Sequence, residues 1–380
     1  MSFRRILFWS HLAAGLVVGV FVLIMSVTGI ALMYENSIVL AVNDSVKVEA
    51  PENTAPMTAD ELAQAQTVLD AGDRGVSLNW DNRENAPIMV RAGRSTPISI
   101  SPYTAEIVEN PSWAVDDAFH FLMEIHRWLA AEGEARSTAR AITGAANLAF
   151  LFLLLSGLYL WIPKAWRWVF LKNNLFMRKS YPTGKARDFN WHHVFSIWAS
   201  IPLFFIIISG VMISYPWAGQ LIYTVWGEER PQRGGPSGDE VTETVDLSEL
   251  ASFQDGFEAV QAFGDRKWTR ITLSLPSDPA ATTLSFQRHY GDRIIPQQRV
   301  SMTYDRATQE IVDVRTYADN SPATKTRMFL RFAHTGERFG LIGSTIAGLA
   351  SLAACFLVYT GFALSYRRLI RPLFRKKPTA

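Results

Sequence analysis

Four apolar runs without Asp, Glu, Lys or Arg dominate this chain of 380 residues. They cover approximately residues 12–34, 142–162, 194–215 and 341–366. Because the hydrocarbon core of a bilayer is about 30 Å thick, a helix needs roughly 20 apolar residues to cross it. Each run has that length, whereas helices on a soluble core are usually shorter and amphipathic. The sequence therefore predicts a membrane protein with four spans.

Positive charges collect in three places beside these runs. Arg4 and Arg5 precede the first run, which is too long for a signal peptide and lacks a small-residue cleavage site, so we expect it to be retained. The other charges lie in the link between the second and third runs and in the tail: Lys164, Arg167, Lys172, Arg178, Lys179, Lys185 and Arg187; Arg367, Arg368, Arg371, Arg375, Lys376 and Lys377. Since Lys and Arg near span ends favour the cytoplasm, both termini are predicted to be cytoplasmic. This bias carries no indication of nucleic-acid binding.

Two long polar segments separate the spans and are predicted to face outward. Each reads as a helix, three or more strands and a closing aromatic helix: helices at 57–69 and 253–263, strands at 76–80, 88–91, 97–101, 269–274, 282–287 and 298–304, and closing helices at 112–130 and 322–333. The predicted fold is an all-α bundle of four transmembrane spans with two α+β periplasmic domains, between spans 1 and 2 and between spans 3 and 4. The boundaries are 1–35 (N-terminus and span 1), 36–141 (first domain), 142–163 (span 2), 164–191 (basic link), 192–215 (span 3), 216–340 (second domain), 341–366 (span 4) and 367–380 (basic tail).

The two halves of the chain follow one plan. His11 lies 18 residues before the glycine of a Thr-Gly pair, and His192 lies 18 residues before the glycine of a Ser-Gly pair. His126 and His334 precede similar pairs at less regular spacings. The four pairs are Thr28-Gly29, Ser156-Gly157, Ser209-Gly210 and Thr360-Gly361. This repetition predicts a duplicated unit of one outer segment and two spans.

The repeat-related histidines are the candidate cofactor ligands. The predicted topology places His11 and His192 at the cytoplasmic face and His126 and His334 at the outer face. A pair of imidazoles at each face suits a six-coordinate haem iron, so two b-type haems are expected. Zinc or copper is the alternative to haem iron for paired histidines, but a catalytic metal site usually needs three protein ligands. The single cysteine, Cys355, excludes a four-cysteine iron–sulfur site.

The remaining histidines have less specific interpretations. His193 adjoins His192 and is interpreted as an interfacial residue or a partner of a haem propionate. His120 is interpreted as a packing residue, and His289, in a polar strand beside Arg288, as solvent-exposed. We find no nucleophilic or proton-transfer constellation, and therefore name no catalytic residue. No Gly-x-Gly-x-x-Gly run follows a strand, so electrons must come from a separate donor, a quinol or a cytoplasmic reductase.

Several short motifs resemble the PepSY-associated membrane protein family. They begin at the four histidines: Ser10-His11-Leu12-Ala13-Ala14-Gly15, Ile125-His126-Arg127-Trp128-Leu129, His192-His193-Val194-Phe195-Ser196-Ile197-Trp198 and His334-Thr335-Gly336-Glu337-Arg338. Ser196 replaces the glycine expected in the third motif. The resemblance implies a bacterial inner-membrane protein with two periplasmic PepSY-like domains. It further implies a di-haem ferric-siderophore reductase that releases Fe(II), with His11, His126, His192 and His334 as axial ligands.

Two other functions fit the same sequence. PepSY-like domains can be binding or regulatory modules, and the spans could merely anchor them in the lipid. This alternative requires no haem and makes the histidines dispensable. A transporter is less well supported, because the spans lack the acidic residues and broken helices typical of coupled transport.

Overall fold

The computed structural model describes residues 2–72, 75–93, 97–163, 167–231, 250–291 and 295–374. The chain divides into two compact units. The helical unit comprises Met1–Glu35, Phe119–Glu228 and Thr326–Ala380, and the sheet unit comprises Asn36–Ala118 and Glu229–Lys325. Four of the basic residues used to predict orientation, Lys164, Arg375, Lys376 and Lys377, lie outside the described residues.

Four long helices form the helical unit in the described part of the chain. We name them span 1 (Phe3–Leu32), span 2 (Ala135–Trp161), span 3 (Gly184–Ser214) and span 4 (Gly340–Ser365). Each belongs to a helical stretch long and apolar enough to cross a membrane, so the prediction of a multi-pass membrane protein is confirmed. Spans 1, 2 and 3 begin seven to ten residues before the apolar runs, because helix continues through their polar flanks. Shorter helices are Trp168–Leu175 and Pro216–Trp226.

The spans pack through small side chains. Span 4 buries Ala347, Ala350, Ala353 and Ala354, and Leu203 and Ile207 of span 3 pack into the same cluster. Small residues let helix backbones approach closely, which matters in lipid because the surrounding acyl chains are as apolar as leucine. This close packing holds spans 3 and 4 at a fixed register, and the candidate site depends on that register.

One end of spans 3 and 4 is joined by a buried ion pair. Asp188 in the first turns of span 3 is fully buried and binds the guanidinium of Arg367, which follows span 4. Its other oxygen accepts a hydrogen bond from Arg187 Nε at 3.0 Å. Asp188 was the lone acid among the basic residues of the predicted link. Its carboxylate therefore has a structural role in joining two spans.

The two outer segments build one sheet in place of the two separate domains that we predicted. Among the described residues the sheet has seven antiparallel strands in the order β3-β2-β1-β4-β5-β6-β7. They are β1 (Val76–Asp81), β2 (Ile88–Ala92), β3 (Ile98–Ile100), β4 (Arg270–Ser274), β5 (Thr283–His289), β6 (Arg299–Asp305) and β7 (Glu310–Arg315). β1 of the first segment pairs with β4 of the second, with Leu78 opposite Leu273. The prediction was wrong because an unpaired β1 or β4 would leave a sheet edge exposed, and their pairing removes both edges.

Helices cover one face of this sheet. Ala59–Gln64 and Gln66–Leu69 belong to the first segment, and Phe253–Ala262 belongs to the second. The predicted helix at 57–69 is thus interrupted at Ala65, and its first part begins with a capping box formed by Thr58 and Glu61. Two apolar clusters fill the space between helices and sheet, one around Leu62 and Leu78 and the other around Val260 and Phe286.

Three further helices connect the units along the chain. Glu35–Asp44 follows span 1. Ser112–Trp128 and Pro322–His334 correspond to the closing helices that we predicted, and each carries a candidate histidine at or near its end, His126 and His334. These two helices begin in the sheet unit and end in the helical unit, just before spans 2 and 4.

Candidate functional site

In the first half of the chain, each candidate histidine binds a hydroxyl of the neighbouring span. His11 Nδ1 of span 1 lies 2.8 Å from Ser156 Oγ of span 2. In return, Thr28 Oγ1 of span 1 lies 2.9 Å from Nδ1 of His126, on the helix leading into span 2. His11 and Thr28 are separated by about 25 Å along span 1 at 1.5 Å per residue. The two contacts therefore lie toward opposite ends of the helical unit.

The second half repeats this reciprocal arrangement. His192 Nδ1 of span 3 lies 2.8 Å from Thr360 Oγ1 of span 4. His334, just before span 4, places Nδ1 2.9 Å from Ser209 Oγ of span 3, and the same nitrogen lies 2.9 Å from the carbonyl oxygen of Ile206. The four hydroxyls belong to the four Ser/Thr-Gly pairs found in the sequence. Those pairs are thus the binding partners of the histidines.

The hydroxyl contacts determine which nitrogen of each ring carries the proton. Each hydroxyl donates its single hydrogen to the carbonyl four residues earlier in its own helix, at 2.6–2.8 Å: Ser156 to Phe152, Thr28 to Ile24, Thr360 to Phe356 and Ser209 to Phe205. The hydroxyl oxygen can then only accept from the histidine, so Nδ1 carries the hydrogen. In a neutral imidazole the lone pair is consequently on Nε2, the state that ligates a metal.

The two histidines outside the spans are held in this neutral form. Burial is the main cause that lowers the pKa of His126 to about 4, and burial likewise lowers the pKa of His334 to about 3. Both rings are therefore uncharged at pH 7. A neutral ring can offer its Nε2 lone pair to a metal without first losing a proton.

The glycine in three of the four pairs lies against the ring of a candidate histidine. A Cβ added to Gly157 would lie 3.3 Å from Cε1 of His11, and one added to Gly29 would lie 3.5 Å from Cε1 of His126. At Gly361 the nearest atom is Cε1 of His192, at 3.9 Å. Gly210 departs from this pattern, because its neighbour is the side chain of Asn147. Three of the four glycines thus lie against the histidine that the adjacent hydroxyl binds.

The structure brings the equivalent histidines of the two halves together at one end of the helical unit. The ring centroids of His126 and His334 are 6.4 Å apart, with 73° between the ring planes. If a metal–nitrogen bond is about 2 Å and a ring nitrogen lies roughly 1 Å from its centroid, two imidazoles bound to one iron have centroids about 6 Å apart. The spacing of these two rings would therefore allow both of them to bind a single iron.

At the other end, His11 and His192 lie near enough to each other for an electrostatic interaction. Each is held by a hydroxyl of the second span of its own half, and each keeps Nε2 outside the hydrogen bonds of the described residues. The donor set at both ends is thus a pair of imidazoles. Such a pair would suit a haem, because a six-coordinate haem iron takes two ligands from the protein.

The other histidines have different surroundings. His193 Nδ1 bonds to the carbonyl of Phe189 at 2.9 Å, and its ring packs on the Phe189 ring. His120 is exposed and lies 3.5 Å from Glu124, so its interpretation as a packing residue was wrong. His289 is only 8% exposed, so its interpretation as a solvent-exposed residue was also wrong. It lies on the sheet face opposite the helices, where we had expected water.

Within the described residues, no group of three or more His, Cys, Asp or Glu side chains could hold a metal ion. Sequence reasoning found the four histidines but missed the role of their hydroxyl partners. The recurrence of Ser or Thr before each glycine was the available signal, and we had used it only to align the repeats.

Comparisons with known proteins give the chain its family. No curated protein matches it. The model of the family described as the PepSY-associated TM region matches residues 8–368. This range includes all four histidines, both segments of the sheet, spans 2, 3 and 4, and all of span 1 except its first five residues. The chain therefore belongs to the PepSY-associated TM region family.

Proposed function

We propose that this protein is a di-haem b electron-transfer protein of the bacterial inner membrane that reduces ferric siderophores and releases Fe(II) during iron uptake. The observation that carries the proposal is the set of four imidazoles with Nδ1 held by a hydroxyl and Nε2 left for iron. Their arrangement as two pairs, toward opposite ends of the spans, supports two haems and a path for electrons between them.

In this proposal His126 and His334 hold one haem, and His11 and His192 hold the other. Bound haem supplies a centre that accepts and donates one electron at a time. The hydroxyls of Thr28, Ser156, Ser209 and Thr360 orient the rings and keep Nδ1 protonated. The reaction adds one electron to Fe(III) and yields Fe(II). It transfers no proton and forms no covalent bond, which agrees with the lack of a nucleophile in the sequence.

The direction of electron flow follows from the proposed orientation. With the basic residues in the cytoplasm, the pair formed by His11 and His192 lies at the cytoplasmic face and the pair formed by His126 and His334 at the periplasmic face. A quinol or a cytoplasmic reductase would then deliver electrons, and a ferric siderophore in the periplasm would receive them. The sheet unit would lie on the periplasmic side.

The first test is the haem content of the whole protein, purified in mild detergent after expression with added haem. We expect a b-type reduced-minus-oxidised spectrum and about two haems per chain in the pyridine assay. Dithionite-reduced protein should then be reoxidised by a ferric hydroxamate siderophore, with Fe(II) trapped by a coloured chelator. Absence of haem would favour a membrane-anchored binding or regulatory module. If haem is bound but the ferric siderophore does not reoxidise it, the proposal of electron transfer stands and this acceptor is excluded.

The hydroxyls provide a second test. Thr360→Val removes the acceptor of His192 Nδ1 while keeping the shape of the side chain, so we expect haem to bind roughly 10–100-fold more weakly at that pair. Thr360→Ser keeps the hydroxyl and should bind haem like the unaltered protein. Haem transfer to apomyoglobin measures the affinity, and a redox titration measures the midpoint potential of each haem. Equal affinities and potentials in all three proteins would show that the hydroxyl does not act on the ligand.

A further inference from the structure

A row of charged and polar side chains crosses four strands at one end of the sheet. Strand register places Asp81 of β1 opposite Arg270 of β4, Arg270 opposite His289 of β5, and His289 opposite Arg299 of β6. Because directly paired residues on antiparallel strands point to the same side, these four side chains share one face. Adjacent strands are about 4.8 Å apart, so the two arginines flank the histidine on either side.

This face is the one that the helices leave uncovered. In β4 and β5, Ile271 and Phe286 alternate with the row and point into the apolar core. Next to the row, the same uncovered face carries Thr272, Gln287 and Ser301. A polar sheet face usually meets water. His289 on this face is nonetheless more than nine-tenths buried.

The imidazole ring of His289 has a buried nitrogen without a hydrogen-bond partner in the part of the chain that the structure describes. Its Nδ1 is inaccessible to water and makes no hydrogen bond with the described residues. Leaving a buried polar atom unpaired is destabilising, so such atoms are uncommon unless a ligand or an ordered water completes them. A buried, unpaired ring nitrogen between two arginines indicates a ligand.

The charges around His289 are predominantly positive. Arg270 Nη2 has only a loose contact with Asp81, at 3.7 Å, and Asp81 binds Arg83 more closely, at 2.9 Å. Arg299 forms a long hydrogen bond of 3.4 Å to Gln287, and among the described residues no carboxylate lies within ion-pair distance of it. Burial lowers the pKa of the Arg299 guanidinium. Burial, and then Arg270 and Arg299, lower the pKa of His289 to about 4.

We infer that Arg270, His289 and Arg299 form a binding site for the oxyanion group of a small ligand, a carboxylate or a phosphate. Guanidinium forks match both groups in geometry and in charge. His289 donates Nδ1–H to the same group, which removes the unpaired buried atom. The separation of the arginines by two strand spacings favours a ligand with more than one anionic oxygen. The site does not depend on haem, and its ligand class stands apart from the proposed redox function.

Isothermal titration of the full-length protein in detergent tests this inference, with citrate and inorganic phosphate as the probes. We expect one saturable site per chain. Arg299→Gln and Arg270→Gln should each weaken it about tenfold or more, since each removes a charge-assisted hydrogen bond. Arg315→Gln is the matched control, because Arg315 lies on the same sheet, is largely exposed and pairs with Asp313. It loses the same charge and should leave the affinity unchanged.

Arg270 and Arg299 lie on different strands. If one of the two variants is unstable, the other tests the inference alone, provided that its melting temperature matches that of the unaltered protein. Tighter binding of citrate than of phosphate would identify a carboxylate ligand, and the reverse would identify a phosphate ligand. The inference is overturned if neither anion binds saturably up to about 10 mM. Equal weakening in Arg315→Gln would also overturn it, because the effect would then be one of overall charge.

Discussion

Alanine at both His126 and His334 is expected to remove no more haem than alanine at either position alone. The reason is that the two rings, with centroids 6.4 Å apart, would together hold one haem, and the loss of either ring would release it. Alanine at both His126 and His192 should instead remove both haems, because these residues belong to different pairs. The pyridine assay on the purified variants counts the haems, starting from about two in the unaltered protein.

Two matched controls lie on the same helices. His120→Ala alters an exposed histidine on the helix that carries His126, and His193→Ala alters the residue adjacent to His192. Both should keep about two haems. Residues that act as a unit show strong non-additivity, whereas distant sites add. Additive loss in the His126 and His334 double variant would therefore refute the pairing, even if each single variant loses haem.

Asp188→Ala is expected to destabilise the protein by about 3 kcal/mol or more. The carboxylate is fully buried and binds both Arg367 and Arg187, and its loss leaves the three-quarters buried Arg367 without its partner. Removing one member of a buried ion pair costs about 3–5 kcal/mol, because the remaining charge stays out of water. Unfolding by sodium dodecyl sulfate in mixed micelles, followed by circular dichroism, measures the change.

Asp313→Ala is the control for this second experiment. Asp313 pairs with Arg315 at 2.7 Å, but both side chains are well exposed. Such surface pairs contribute about 0–1 kcal/mol. The double variant Asp188→Leu with Arg367→Met should recover most of the lost stability, since it removes both buried charges together. If this double variant does not recover the lost stability, Asp188 stabilises the protein through more than its ion pair with Arg367.

Local features of this fold were predictable from the sequence. Length and lack of charge located the spans, and alternating apolar residues located β1 and β5 to within two residues at each end. The cap at Thr58 followed from the spacing of Thr58 and Glu61. Each of these signals depends on residues that are close in the chain, where helix and strand periodicities apply.

Features that join distant parts of the chain were not predictable in the same way. The pairing of β1 with β4 links residues nearly 200 positions apart, and alternation in one strand carries no information about its neighbour. The burial of His289 likewise depends on what packs over the sheet, and a polar strand end in the sequence does not reveal this. The hydroxyl partners of the histidines are also distant in sequence, although the repeat brought the four Ser/Thr-Gly pairs to attention.

The antiparallel joint between β1 and β4 has a consequence for the ancestry of the chain. An antiparallel pair of strands is related by a local two-fold axis, and the pairing of His126 with His334 likewise matches a residue of one half with its counterpart in the other. Both are contacts that two identical subunits make in a symmetric dimer. A half-length ancestor would have one free strand edge and one histidine of each pair, so it would be complete only as a homodimer. Duplication and fusion of the gene would join two such subunits in one polypeptide. Gly210, which faces Asn147 in place of a histidine, is a position at which the two halves differ.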